Sequence, residues 1–292
     1  MDWFSLSLLC AFSLATADAL TKKHLTGYSG WALLLVRFVV PGVLLAPFLL
    51  AYPLPTNLAI EFWLWIAVLV PLEMVAMLLY MQAIRDAPLS QTLPYLAFTP
   101  VLSILTGWLV LGEQVSIVGA SGILLVVIGT YLLNIERLRE NGENHWLEPL
   151  RAISRQQGSR RMLMVAVIYS LTSVGTKAAM QYTGPMNFGA FYFISLAIAT
   201  ILLVIIFRPK ALKVLTINPG WHLLIGSLMS VMVVTHFLAI SKIEAAYMIA
   251  VKRTSLLFGI LYGFWFFHEK GLLRNFSSVL IMVIGVALIL LA

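Results

Sequence analysis

Long apolar blocks follow one another along this chain, separated mostly by short polar breaks. Runs of about twenty residues suffice to cross a hydrocarbon core in a helix rising roughly 1.5 Å per residue. Such runs fall near residues 2–21, 28–50, 60–83, 88–111, 115–134, 161–182, 186–207, 219–240, 244–267 and 271–292. The pattern predicts an all-α, polytopic membrane protein with ten transmembrane helices. Most links are so short that consecutive helices must run antiparallel. The one long polar stretch, residues 135–160, carries Glu136, Arg137, Arg139, Glu140, Glu143, Glu148, Arg151 and Arg155. Mixed charge of this kind reads as a surface linker with some amphipathic helix. The first block lacks the basic start of a signal peptide and is longer than its apolar segment, so it reads as the first span.

Composition agrees with the pattern. Hydrophobic residues make up 61% of the chain and charged residues 11%, against about a quarter charged in soluble domains. A net charge of +7 fits basic cytoplasmic loops facing anionic lipid, with no nucleic-acid partner expected. Cys10 is the only cysteine, which rules out an intrachain disulfide and a cysteine-based metal site. The sequence has no phosphate-binding Gly-rich loop, no His-Glu-x-x-His and no Gly-x-Ser-x-Gly. ATP drive within the chain and the common membrane hydrolases are therefore not expected, nor is a cofactor or metal. A membrane-embedded enzyme, or a non-transporting partner or sensor, stays open as an alternative to transport.

The two sides of the linker can be superposed in sequence. A shift of 156 residues lays Ala83-Ile84 on Ala239-Ile240, Gly107 on Gly263, Glu113 on Glu269, Ser121 on Ser277 and Ile128-Gly129 on Ile284-Gly285. A shift of 157 lays Ser13-Leu14 on Ser170-Leu171 and Thr26-Gly27 on Thr183-Gly184. One near-constant offset predicts an internal duplication: a first five-helix repeat over 1–134, a cytoplasmic linker over 135–160 and a second repeat over 161–292. Five spans is an odd number, so the second repeat must lie inverted relative to the first. Inverted repeats place a central site at their interface, where rocking exposes it to each side in turn.

Loop charge sets the expected orientation. The loops after spans one, three, five, seven and nine hold fourteen Lys and Arg residues, whereas the opposite side holds only Lys242. Basic residues favour the cytoplasmic side, which predicts both termini outside a cell inner (plasma) membrane.

The ends of the halves carry a motif. Leu111-Gly112-Glu113-Gln114 is followed by Gly119, Ser121-Gly122 and Ile128-Gly129-Thr130-Tyr131; His268-Glu269-Lys270 is followed by Ser277-Ser278 and Ile284-Gly285-Val286. With Pro94 and Pro100 in the fourth span, the chain resembles the EamA-type pattern of the drug/metabolite transporter superfamily, over essentially its whole length and twice. The resemblance implies ten helices, a central cavity between the halves and movement of small organic molecules. Many members of that superfamily have cytoplasmic termini, where the charge count here argues the reverse. His268 stands where the family often has Gly.

Ionisable groups within spans are costly, about 2.5–3.5 kcal/mol each on insertion scales, and mark candidate sites. They are Asp18, Arg37, Glu73, Lys177, Lys252 and Arg253. Asp18 and Lys177 lie near helix ends, where snorkelling or capping would satisfy them. Glu73 sits near the middle of the third span, where it must carry a proton, face a cavity or pair with a cation such as Arg37. Lys252 and Arg253 lie two turns into the ninth span, and their counterparts in the first half are the apolar Leu96 and Ala97. Two adjacent cations need an anion, and a guanidinium suits carboxylate or phosphate. Either a ligand supplies it, or Glu73 or Glu244 neutralises the pair. The tandem resembles that of the triose-phosphate translocators of the same superfamily, where it contacts phosphate; those add a fourth-span lysine where this chain has Leu96. The expected substrate is thus a small organic anion or zwitterion (organic acid, amino acid or phosphorylated metabolite), moved with a proton or an exchange substrate.

Arg37 and Lys177 are candidates to assist binding, and Tyr80, Tyr95, His236 and Tyr247 to line the cavity. Pro41, Pro71, Pro94 and Pro100 each remove a backbone hydrogen bond within a span. Ser103/Gly107 and Gly259/Gly263 are small-residue pairs suited to close helix packing, within the monomer or in a homodimer. Glu113 and Glu269, at the turns after spans four and nine, are expected to tie short loops and not to touch substrate.

Overall fold

Local signals start and stop the helices. Asp2 precedes the first, and its carboxylate accepts the Ser5 N–H at 2.7 Å, which holds that carboxyl below the ordinary carboxylate range. Ser29 caps the second by accepting the Ala32 N–H, after a turn in which Gly27 takes the left-handed φ of 88°. Pro185 and Pro219 stand in the first turns of two later helices, where the missing N–H has no partner to lose.

A computed structural model describes residues 1–86, 93–140, 157–267 and 276–292, and regular structure among them is helical throughout. In chain order the helices are α1 (Trp3–His24), α2 (Gly30–Ala51), α3 (Ile60–Asp86), α4 (Phe98–Leu111), α5 (Ile117–Glu140), α6 (Gln157–Met180), α7 (Pro185–Phe207), α8 (Pro219–Ile240), α9 (Ala245–Lys252), α10 (Ser255–Phe267) and α11 (Phe276–Leu290). Short 3-10 helices cover Leu93–Ala97 and Pro209–Thr216. Among the described residues seven segments are long and apolar enough to cross a membrane: α1, α2, Ile60–Ile84, α6, α7, α8 and Ala245–Gly263. Three shorter apolar stretches, Tyr95–Leu111, Ile117–Leu133 and Ser277–Leu290, accompany them.

Two expected spans differ in form. The ninth is broken: α9 stops at Lys252, Arg253-Thr254 form a turn, and α10 starts at Ser255. The fourth, within its described part, begins as a 3-10 helix that turns into α4 at Phe98. Pro100 therefore sits in the first turn of α4, where it breaks no internal helical bond. The two changes of helix type fall at Ala97 and Arg253, positions that match under the 156-residue shift. Two ends of the expected linker are helical as well, since α5 runs on to Glu140 and α6 begins at Gln157.

Packing joins the two halves. Helix α1 lies against α8, α3 against α6, α2 against α7, α4 against α6 and α9, and α1 also against α9 and α10. Helices α5 and α11 form a separate close seam. There a Cβ on Gly122 would lie 2.6 Å from the Gly285 carbonyl oxygen, and one on Gly129 would lie 2.8 Å from the Ser278 carbonyl oxygen. Only glycine lets the backbones meet at that distance. The main core fills the space between the other helices, with Phe38, Phe62, Phe188, Met81, Met162 and Leu196 fully buried.

Candidate functional site

Apolar helices leave their few polar side chains one stable place to go, the space between helices. A cavity of about 100 Å³ lies there, lined from α1, α2, α3, α6, α7, α8, α9 and the two helix breaks. Arg37, Glu73, Tyr80, His236, Lys252 and Arg253 all face it, and Leu96 faces it from the 3-10 helix. Thus four of the candidate substrate-binding residues (Arg37, His236, Lys252, Arg253) and the candidate coupling residue Glu73 come from four different spans to one space.

Lys252 and Arg253 both line the cavity at the end of α9. Arg253 keeps helical backbone, and its N–H still reaches the Ile249 carbonyl at 3.2 Å, so the helix is interrupted just after the pair. Lys252 Nζ lies 3.4 Å from His236 Nδ1 and 3.8 Å from Met232 Sδ. Arg253 is 4% exposed, and among the described residues its Nε has no hydrogen-bond partner. Neither forms an ion pair among the described residues, with Glu73 or with Glu244. The Glu73 carboxyl has the Thr172 hydroxyl beside it. Aromatic and thioether groups complete the walls: Tyr169 of α6, Tyr192 and Phe193 of α7, and Met229, Met232 and Phe237 of α8.

Arg37 is held differently. Its Nη2 donates to Asp18 Oδ1 at 2.5 Å and to Thr21 Oγ1 at 3.0 Å, and its Nη1 points at Met229 Sδ. The Tyr80 hydroxyl donates to the other Asp18 oxygen at 2.8 Å. Asp18 is 8% exposed, so it does not snorkel from a helix end; it neutralises Arg37 inside the protein. The expected pair of Arg37 with Glu73 is replaced by this one. Position near the polar end of α1 hid the role of Asp18. The Met229, Met232, Val233 and His236 stripe follows helical spacing and could have flagged the α8 wall.

Other candidates sit elsewhere. Lys177 forms an ion pair with Glu113 and donates to the Ile243 carbonyl at 2.7 Å; it does not line the cavity. The second Glu113 oxygen accepts the Ala245 N–H at 2.9 Å. Gly112, at φ 68°, ends α4 and turns the chain so that the Glu113 N–H reaches the Gly107 carbonyl. Gly107 serves this arrangement, since a Cβ there would come within 2.8 Å of Glu113 Oε2. Glu113 thus ties α4 to α6 and to the turn before α9, well beyond its own loop. Tyr247 accepts the Ser116 N–H at 2.9 Å, and Tyr95 lies beside Ser159 and Tyr131; both are outside the cavity lining. Pro94 belongs to the 3-10 helix, Gly263 is buried in α10, a Cβ on Gly259 would meet nothing within 4 Å, and Glu269 lies outside the described residues.

A multi-pass helical membrane protein with a buried, charge-lined cavity is the class that fold and site define. The chain belongs to the EamA-like transporter family, whose profile matches residues 1–135 and again 161–291, within the drug/metabolite transporter superfamily. That makes it a membrane protein of a transporter family. A solved crystal structure shares the fold, with a TM-score of 0.67 at 19% identity, covering 98% of this chain and 94% of that one. No curated protein matches the sequence.

Proposed function

We propose that the protein is a secondary transporter of small organic anions or zwitterions, working by alternating access and catalysing no covalent change. The observation that carries this reading is the pair of cations, Lys252 and Arg253, that among the described residues have no carboxylate partner and line a cavity at a break in a span. Arg253 is buried and Lys252 half-buried; charge in such surroundings is expensive, and an anionic substrate group offsets that cost. Broken spans at the centre of a bundle are a recurrent way to hold a substrate in transporters.

Alternating access rests on a ten-span, inverted-repeat architecture. Its support is reciprocity under the 156-residue shift. The contact of Gly122 with Gly285 becomes that of Ser278 with Gly129, and both occur. Packing of α1 on α8 becomes that of α6 on α3, and packing of α4 on α6 becomes that of α9 and α10 on α1. The cavity walls pair likewise, Glu73 with Met229, Tyr80 with His236, Leu96 with Lys252 and Arg37 with Phe193. In this scheme Glu73 carries a proton or balances charge, and Asp18 holds Arg37 ready beside the substrate.

Uptake into proteoliposomes, screened over organic acids, amino acids and sugar phosphates, tests the function. Lys252→Ala and Arg253→Ala should each abolish most of the uptake that the wild type shows; unchanged uptake in both would sink the reading. In this reading the termini lie outside the inner membrane, in line with the charge bias of the loops, and a C-terminal reporter that fluoresces only in the cytoplasm should stay dark.

A further inference from the structure

Among the described residues, the charges around the cavity do not cancel. Arg37, Lys252 and Arg253 supply three positive charges; Glu73 in its charge-balancing, ionised form and the Asp18 carboxylate that holds Arg37 supply two negative ones. His236 faces the Lys252 ammonium through Nδ1 at 3.4 Å, a geometry in which the neutral ring accepts and adds no charge. Among the described residues around the cavity one positive charge is left over, within low-dielectric surroundings where net charge is costly. One bound negative charge completes the site. A zwitterion leaves the surplus as it is, and a dianion overshoots it.

Size narrows the choice further. The cavity measures about 100 Å³, whereas an apolar cavity of about 150 Å³ takes up benzene. On that scale the volume corresponds to a ligand of about four or five non-hydrogen atoms. Apart from the charged groups, its surroundings are thioether and aromatic: Met77, Met229, Met232 and Phe237. We propose that the site is selective for a small monoanion with a short apolar tail, such as a short-chain monocarboxylate. Its acid group lies between Lys252 and Arg253, its tail lies against Met232 and Phe237, and Glu73 sets the preferred charge. This deepens the proposed function and rests on the cation site named there.

The test uses the full chain in lipid nanodiscs and four probes of similar size: propionate, methanesulfonate, sulfate and alanine. Titration calorimetry should show the two monoanions binding at least about tenfold tighter than sulfate or alanine. Glu73→Gln removes one negative charge and should shift the balance between the near-isosteric methanesulfonate and sulfate toward sulfate, while Glu73→Asp keeps the wild-type preference. Lys252→Met should weaken methanesulfonate by about ten- to a hundredfold, the loss of one charge-assisted hydrogen bond. A wild type that prefers sulfate or alanine overturns the monoanion selectivity and leaves the anion transporter standing. Binding by none of the four overturns it too, and the proteoliposome screen then decides separately whether a larger anion is carried. A Glu73→Gln variant that stays monodisperse but keeps the wild-type ratio of methanesulfonate to sulfate refutes the role of Glu73.

Discussion

The Asp18 carboxylate and the Arg37 guanidinium meet at 2.5 Å, buried between α1 and α2 at the edge of the cavity. Breaking a buried pair from one side strands a charge, which costs about 3–5 kcal/mol. Asp18→Ala is therefore expected to lower the thermal midpoint of the detergent-solubilised protein sharply. The double variant Asp18→Leu with Arg37→Met should cost much less than the sum of the single changes, because it leaves no orphan charge. Additive losses in this double-mutant cycle would show that the two residues act independently.

The α5–α11 seam depends on the absence of side chains. Cβ atoms on Gly122 and Gly285 would come within 3.0 Å of opposing backbone, so alanine at either position must push the helices apart. Overpacking of this kind costs about 1–3 kcal/mol. Gly220→Ala, where a Cβ meets nothing within 4 Å, provides the control and should leave the midpoint unmoved.

Glu113 and Lys177 form a latch close to the cavity on two sides: Thr176, next to Lys177, and Ile249, one turn beyond Ala245, line the cavity. Glu113→Gln weakens the ion pair but keeps an acceptor for Ala245. A cysteine placed at Thr176 should then react faster with a water-soluble maleimide than in the wild-type background. Native Cys10 is fully buried, so its own labelling stays low. Equal rates in the two backgrounds would show that the latch does not control access.

At the N-terminus the Ser5 N–H stabilises the Asp2 carboxylate and holds its acid below the ordinary range. A depressed carboxyl contributes stability above its unfolded value near the ordinary 3.8, and loses it as pH falls through the lower folded value. The Ser5 amide should therefore lose exchange protection only in strongly acidic solution. Asp2→Asn, which caps without titrating, should show no such step. A step in both proteins would place its cause elsewhere.

Much of this protein is legible in the sequence, because crossing a membrane is a local demand. Twenty consecutive apolar residues specify a helix on their own, and Lys252-Arg253 stood out as charge where hydrocarbon should be. The offset that lays Glu113 on Glu269 likewise needed only the order of residues. Contacts across the bundle were not legible in that way. Nothing in the pattern near residue 18 distinguishes a snorkelling carboxylate from one held by Arg37, since the partner is set by how α1 and α2 face each other. Lys177 looked like a ligand for substrate until Gly112 turned Glu113 toward it. The break at Arg253 carries no proline or glycine, so the sequence predicts a continuous helix. Tertiary structure decides otherwise, and the interruption falls where both cations line one cavity. Hydropathy is a property of each segment and can be summed along the chain; the pairing of buried charges depends on two segments at once, and only the packed bundle determines it.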